Sequence, residues 1–297
     1  MSTLRVALAQ ISATADPSDN ADLVDVYTAR AAAAGARLVV FPEATMCRFG
    51  VSLKPIAEPL DGPWADRVAA AAERYGVHVF AGMFTPAGAG SAASGPNEPG
   101  AGSAASGPNE PGGRVTNTLL LAGPDGDRAG YDKIHLFDAF GFAESRTVAP
   151  GTRAVTTAID GVTIGVAICY DLRFPALFTG LAAAGADVIT VSASWGAGPG
   201  KLDAWTTLAR ARALDSTAYV LASGQADPGA PDPKGAPLGV GGSLAVGPDG
   251  EVLVQAGPDP DLLLVDVDTD RVAEARRTLP VLANRRDFSL PAAARVV

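Results

Sequence analysis

The sequence predicts an α/β fold in which two β-sheets, each with antiparallel members, are covered on the outside by helices. Short apolar runs typical of strands alternate with alanine-rich helical runs, which favours helical crossovers between strands. Gly-Pro-Asp-Gly also occurs twice between apolar runs, at 123–126 and 247–250, where it predicts tight hairpin turns. Because crossovers favour parallel pairs and hairpins favour antiparallel ones, both kinds of strand pair are expected.

The first third of the chain supplies strands and helices in strict alternation. Residues 4–10, 37–43 and 77–84 are short apolar runs typical of buried strands. Between them, residues 18–34 and 63–76 are rich in alanine and long enough for helices. The chain therefore begins with strand, helix, strand, helix and strand.

Strands at 115–123 and 128–137 flank the first Gly-Pro-Asp-Gly turn and form the first predicted hairpin. The remaining apolar and alanine-rich runs predict, in order, strand 162–168, helix 174–185, strand 186–192, helix 201–214, strand 218–223, strand 261–266 and helix 269–278.

No break in this pattern suggests a second domain, so residues 1–297 are predicted to form a single domain. Residues 89–112 stand apart, because AGSAASGPNEPG occurs there twice in succession without a change. Glycine, serine, alanine and proline with almost no apolar bulk cannot build a core, so this segment is predicted to be a flexible surface insertion. It is either inert or part of the entrance to a site.

The overall charge and composition exclude several classes of partner. The formal net charge is −9, with 23 basic and 32 acidic residues, which argues against binding to nucleic acid or an anionic membrane. No apolar stretch approaches the ~18 residues of a membrane helix, and no signal peptide is evident. Two cysteines argue against a disulfide framework, and two histidines without close spacing to them offer no metal site. We expect a cytoplasmic protein without a metal or cofactor.

Cys169 is the first candidate for chemistry. It follows the predicted strand 162–168 and precedes Pro175, which suits the first turn of a helix. A cysteine on such a turn is exposed at a sheet edge, near backbone N–H groups that would lower the pKa of its thiol. The alternative is a buried cysteine that serves only as a small apolar side chain.

A nucleophilic cysteine needs a base, and the residues alone leave two choices. His135 shares a predicted strand with Lys133, so a Cys169–His135 dyad is conceivable. His78 lies inside an apolar run and is more typical of a packed strand residue. Glu43 ends the run RLVVFPE, and a glutamate in an apolar pocket can act as acid and base at neutral pH.

Lys133 is the third candidate. The chain contains 23 basic residues but only four lysines, so a lysine within a predicted strand calls for a reason. Lysine offers a compact charge with a tunable pKa, which arginine cannot replace in a tight pocket. A lysine whose ammonium reaches solvent at the strand edge is the alternative. Together, Cys169, Glu43 and Lys133 would suit attack on a carbonyl or nitrile carbon.

The chain resembles the nitrilase superfamily, the carbon–nitrogen hydrolases, in the three blocks VVFPEA around Glu43, YDKIHLFD around Lys133 and GVAICYDLRFP around Cys169. The blocks are most similar to the amidase branch that acts on ω-amides of 2-oxo acids or on deaminated glutathione. Further similarity lies in residues 142–152, 189–195, 209–225 and 284–288. The resemblance implies one carbon–nitrogen hydrolase domain over 1–297, folded as a four-layer αββα sandwich with two mixed β-sheets. It also implies a homodimer or higher homo-oligomer.

The resemblance also implies roles for residues. Cys169 would be the nucleophile, Glu43 the general base, and Lys133 with the backbone N–H of Tyr170 the groups that stabilise an oxyanion. Glu144 matches a second glutamate that holds the lysine, although the connection from Lys133 to Glu144 is shorter than in many relatives. The implied reaction is hydrolysis of a small-molecule amide through a thioester, with release of ammonia and without a cofactor.

Arg173 and Trp195 are the candidates for substrate binding. Arg173 would bind a substrate carboxylate, which suggests a carboxylate-bearing ω-amide. It could instead form a salt bridge with Asp171 or interact with a helix end. Trp195 would line the acyl pocket or simply pack. Nitrile or N-carbamoyl hydrolysis by the same three residues is an alternative reading, as is a binding module without catalytic activity.

Overall fold

The structure is a computed structural model of the protein, and it describes residues 2–88, 113–230, 232–233 and 235–288. The insertion predicted at 89–112 therefore lies outside the described residues. Within them, the strands are β1 (Thr3–Gln10), β2 (Leu38–Val40), β3 (His78–Pro86), β4 (Val115–Ala122), β5 (Arg128–Asp132), β6 (Asp138–Ala139), β7 (Phe142–Ala143), β8 (Val148–Ala149), β9 (Thr156–Ile159), β10 (Val162–Ile168), β11 (Val188–Ala193), β12 (Tyr219–Gly224), β13 (Leu244–Val246), β14 (Val252–Gln255) and β15 (Asp261–Asp268).

The α-helices of the described residues are α1 (Pro17–Ala33), α2 (Pro63–Tyr75), α3 (Pro175–Ala183), α4 (Lys201–Ser216), α5 (Thr269–Thr278) and α6 (Val281–Asn284). Proline occupies the start of α1, α2 and α3, where its fixed φ suits a helix and its missing N–H costs no hydrogen bond. In the part of the chain that the structure describes, none of the helices combines the length and apolar character that crossing a membrane requires.

The strands form two large sheets and a small hairpin. The first sheet has seven strands in the order β15-β1-β2-β3-β4-β5, with β8 also paired to β4. In it, β1, β2 and β3 are parallel, and β15, β4 and β5 join antiparallel. The second has six strands in the order β14-β13-β12-β11-β10-β9, with β10, β11 and β12 parallel. Both sheets are therefore mixed, as the hairpins and crossovers predict.

The two sheets pack face to face, and helices cover their outer faces. Val6 of β1 and Val166 of β10 belong to one core between the sheets, which extends to Trp205 of α4 beyond the second sheet. A separate core packs Val24 of α1 and Val68 of α2 against the outer face of the first sheet. These layers confirm the predicted four-layer αββα sandwich.

Both predicted hairpins are confirmed, because β4 pairs antiparallel with β5 across 123–126 and β13 with β14 across 247–250. The predicted strand 128–137 is wrong beyond Asp132. There the Lys133 carbonyl accepts a hydrogen bond from Gly151 N (2.8 Å), and His135 N donates to Asp171 Oδ1 (3.0 Å). These contacts draw the chain away from the sheet, so Lys133 follows β5 instead of lying within it.

Candidate active site

Cys169 lies on the sharp turn between β10 and α3. β10 ends at Ile168, Cys169 opens a short 3₁₀ turn, Cys169–Arg173, and α3 begins at Pro175. The φ of Cys169 is 46°, in the left-handed region that residues other than glycine rarely adopt. Such strain is typical of a residue whose side chain is aimed at a functional site. The turn places the thiol on the wall of a cavity, with 9% of the residue exposed.

Asp171 fixes this turn from inside the protein. Its carboxylate is fully buried and accepts hydrogen bonds from Tyr131 OH (2.7 Å), Ile168 N (2.9 Å) and His135 N (3.0 Å). It therefore does not form the salt bridge with Arg173 that the sequence left open. The roles of Asp171 and Tyr131 were not predicted, because their contact joins residues 40 positions apart in the sequence.

His135 is held by the same carboxylate. Its Nδ1 lies 2.7 Å from Asp171 Oδ1, and its ring stacks on Phe174 with 3.6 Å between centroids. His135 does not line the cavity that contains Cys169, and neither does His78 at the start of β3. The structure thus offers no support for a Cys169–His135 dyad.

Glu43, Lys133 and Glu144 form a buried charged cluster beside Cys169. The Lys133 ammonium lies 2.8 Å from Glu43 Oε1 and 2.9 Å from Glu144 Oε2, and all three side chains are at most 3% exposed. Glu144 Oε2 also accepts a hydrogen bond from Phe137 N (2.7 Å). The structure brings these three predicted residues and Cys169 together around one cavity.

Two further donors complete the cluster, and sequence reasoning missed both. Asn117 of β4 donates from Nδ2 to Glu43 Oε1 (2.8 Å) and to Glu144 Oε1 (3.0 Å). Ser194 N donates to Glu43 Oε2 (2.9 Å). A signal for Asn117 existed, since an amide stands inside the apolar run VTNTLLLAG. A backbone donor such as Ser194 N leaves no sequence signal.

The cluster sets the protonation states of lysine and thiol. Burial alone would lower the pKa of Lys133, but the Glu43 and Glu144 carboxylates outweigh it and raise that pKa, so Lys133 is a permanent cation. Burial and the Glu43 charge raise the pKa of the Cys169 thiol well above its usual range, and Lys133 offsets them only in part. The expected lowering by the turn's N–H groups is therefore wrong. A resting protonated thiol needs a base, and Glu43 is the carboxylate whose charge acts most strongly on it.

The cavity in front of the cluster has a volume of about 610 Å³, which is ample for a small organic substrate. Tyr170, Arg173 and Trp195 line it, so both candidate substrate-binding residues lie near the thiol. The Arg173 guanidinium stands 5.1 Å from the centroid of the Trp195 ring. The cavity therefore combines an apolar wall with a cation that can meet an anionic group.

Replacing Lys133 with methionine is expected to lower the free energy of unfolding by about 3–5 kcal/mol, since two buried carboxylates lose their shared counter-charge. Urea unfolding at neutral pH measures the loss. The matched control is Lys201→Met, which removes a cation from the Phe140 ring and should cost less than about 1 kcal/mol. Equal stability of the Lys133 variant and wild type would contradict the role of the ammonium.

A two-sheet αββα sandwich with cysteine, glutamate and lysine around one cavity defines the class of the protein as a nitrilase-like hydrolase. The chain matches the carbon-nitrogen hydrolase family over residues 5–277 and belongs to that family. The resemblance seen in the sequence is thereby confirmed.

Named relatives span nearly the whole chain. A protein described only as a hydrolase from Mycobacterium tuberculosis is 54% identical over 96% of each chain. The deaminated glutathione amidase of Escherichia coli is 31% identical over 95% of this chain and 97% of its own. The omega-amidase of Homo sapiens is 30% identical over 96% of each chain. Among solved structures, a carbon-nitrogen hydrolase superfamily protein from Xanthomonas campestris has a TM-score of 0.78 at 25% identity, covering 98% of this chain and 100% of that one.

Proposed function

We propose that the protein is an amidase that hydrolyses a small, carboxylate-bearing amide through a thioester on Cys169. The observation that carries the proposal is the convergence of Cys169, Glu43 and Lys133 on one cavity, with carboxylate and ammonium 2.8 Å apart. The family and the amidase names of two relatives support the class of reaction.

In the first half-reaction, Glu43 accepts the thiol proton as Cys169 Sγ attacks the amide carbon. The carbonyl π electrons move to oxygen, where Lys133 Nζ and the backbone N–H of Tyr170 stabilise the negative charge. Tyr170 is the second residue of its 3₁₀ turn, a position whose N–H has no partner within the turn. The C–N bond then breaks as protonated Glu43 gives its proton to the nitrogen, which leaves ammonia and a thioester.

In the second half-reaction, Glu43 takes a proton from water, and the hydroxide adds to the thioester carbon. Collapse of this intermediate breaks the S–C bond, and the sulfur recovers the proton from Glu43. Lys133 keeps its proton throughout, because its two carboxylate partners hold it as a cation. Glu43 therefore takes up and returns the transferred proton in both half-reactions.

The position of Arg173 favours a substrate that carries an anionic group. Among the described residues, its guanidinium meets the face of Trp195 and not a carboxylate, which leaves its hydrogen-bond donors available in the cavity. Glu144 Oε2 also lies within 2.9 Å of the Lys133 ammonium, so Glu144 acts by positioning that ammonium. The names of the relatives add ω-amides and deaminated glutathione as compounds to test.

The test is release of ammonia by the purified protein from a panel of compounds. We expect release from carboxylate-bearing amides such as 2-oxoglutaramate or deaminated glutathione, and weaker release from uncharged aliphatic amides. Activity restricted to nitriles would assign a nitrilase, and ammonia accompanied by carbon dioxide would assign N-carbamoyl hydrolysis. No covalent adduct with any amide or hydroxamate would favour a binding module without catalysis.

Replacing Arg173 with glutamine is expected to raise the KM for carboxylate-bearing amides by about 10- to 100-fold, since a charge-assisted hydrogen bond is lost. The kcat and the KM for uncharged amides should change little, because the guanidinium does not contact the reacting atoms. Initial rates on matched charged and uncharged amides measure this. Lys201→Gln, at a cation that also lines the cavity but does not belong to the buried cluster, is the control. A KM effect in Lys201→Gln but not in Arg173→Gln would overturn the assignment.

We further propose that the protein is a homodimer or higher homo-oligomer, as the family resemblance implies. Light scattering on the purified chain would give at least twice the monomer mass, and a monomer would contradict the proposal. The cytoplasmic location expected from the sequence stays a prediction.

A further inference from the structure

A closed ring of hydrogen bonds joins the charged groups beside Cys169. Lys133 Nζ donates to Glu43 and Glu144, and Asn117 Nδ2 donates to the same two carboxylates. Asn117 is 1% exposed, and among the described residues its Oδ1 has no hydrogen-bond partner. Buried amide oxygens are normally paired, so this side chain is placed for its N–H groups.

We propose that Asn117 is a positioning residue that determines which oxygen of Glu43 takes the thiol proton. Glu43 Oε1 accepts hydrogen bonds from Lys133 (2.8 Å) and Asn117 (2.8 Å), which occupy both of its lone pairs. Oε2 accepts one hydrogen bond, from Ser194 N (2.9 Å). Asn117 therefore leaves Oε2 as the oxygen with a lone pair free for the proton of Cys169. This inference rests on the proposed function, in which Glu43 is the base.

Asn117 also stabilises the charge that the base needs. Among the residues that the structure describes, the titratable groups that face Glu43 are Lys133, Glu144 and Cys169, so two carboxylates share one ammonium. Neighbouring carboxylates disfavour each other's ionised form, whereas an N–H donated to each of them favours it. Loss of the two hydrogen bonds that Asn117 donates is therefore expected to move the acid limb of the activity profile to higher pH.

The backbone at Asn117 does not depend on the side chain. Within β4 the residue pairs with Phe84 of β3, and its carbonyl accepts a hydrogen bond from Lys133 N (2.9 Å). Alanine or aspartate at this position keeps these backbone contacts. Substitution thus removes the two hydrogen bonds to carboxylates while β4 remains paired.

The experiment compares Asn117→Ala and Asn117→Asp with Thr118→Val, in a Cys47→Ala background that leaves Cys169 as the reactive thiol. Thr118 lies on the opposite face of β4 and donates to Asp132 (2.6 Å), so its variant controls for loss of a partly buried hydrogen bond. For Asn117→Ala we expect kcat to fall about 10- to 100-fold and KM to change less than about threefold. The acid limb of the pH–activity profile should move to higher pH. The kcat of Asn117→Asp should be lower still, because aspartate keeps the shape of the side chain but replaces the N–H donor with a third carboxylate.

An unshifted pH profile in both Asn117 variants would overturn the inference, even with a lower kcat, because a purely structural loss scales the whole profile. The same shift in Thr118→Val would also overturn it. If the wild type hydrolyses no amide, the proposed function fails by itself. The rate at which iodoacetamide alkylates Cys169 then decides the inference: its pH dependence should differ between wild type and Asn117→Ala, and an identical dependence would contradict the role of Asn117.

Discussion

Replacement of Cys169 by alanine is expected to abolish turnover and leave the protein folded. The kcat should fall about 10⁴-fold or more, because the change removes the nucleophile of the proposed reaction. The fold should survive, since the change removes one small, mostly buried sulfur and the turn remains anchored by Asp171. Ammonia release measures turnover, and circular dichroism reports the fold.

Intact mass gives the direct test of the thioester. Wild-type protein mixed with a slowly hydrolysed amide or a hydroxamate should gain the mass of one acyl group, and Cys169→Ala should gain none. An acyl adduct on the alanine variant, or turnover close to that of the wild type, would contradict the assignment of Cys169 as the nucleophile.

Cys47 provides the matched control. It lies in the loop after β2 and does not line the cavity, and its Sγ donates a weak hydrogen bond to the Ala15 carbonyl (3.4 Å). Burial raises the pKa of its thiol to about 11, so it is a poor nucleophile at neutral pH. Cys47→Ala should keep most of the activity, and a complete loss would contradict Cys169 as the sole nucleophile.

The positions of the main candidates are visible in the sequence because each interrupts an apolar pattern. Glu43 and Lys133 follow strands of the first sheet, and Cys169 follows a strand of the second. Periodicity predicts the individual strands but does not show which ends meet across two sheets. The residues alone suggest Cys169, Glu43 and Lys133 as one group, but the family resemblance was needed to prefer Glu43 over His135 as the base.

Local sequence patterns do not predict contacts between side chains that are far apart in the chain. Asn117 is 74 residues from Glu43 in the chain, and Asp171 is 36 residues from His135, so neither pair has a local signature. The wrong direction predicted for the pKa of Cys169 has the same origin. The turn that lowers it is local, whereas burial and the Glu43 charge that raise it arise only from the tertiary structure.

Replacement of Glu43 by glutamine is expected to lower kcat/KM by about 10²- to 10⁴-fold, the usual contribution of a positioned base. The side chain keeps its shape, and the amide oxygen can occupy the Oε1 position, where Lys133 and Asn117 both donate. Its NH₂ group then faces the Ser194 N–H and cannot accept the thiol proton. Initial rates of ammonia release, with circular dichroism to confirm folding, measure the loss.

His135→Ala is the comparison that separates the two possible bases. His135 contacts Asp171 and Phe174, so its removal should loosen the turn and lower kcat less than about tenfold, without removing the proton acceptor. A Cys–His enzyme would show the reverse order, with His135→Ala inactive and Glu43→Gln close to wild type. Because the Cys169 thiol rests protonated, turnover must fail in whichever variant lacks the base, and the order of the two rates identifies that base.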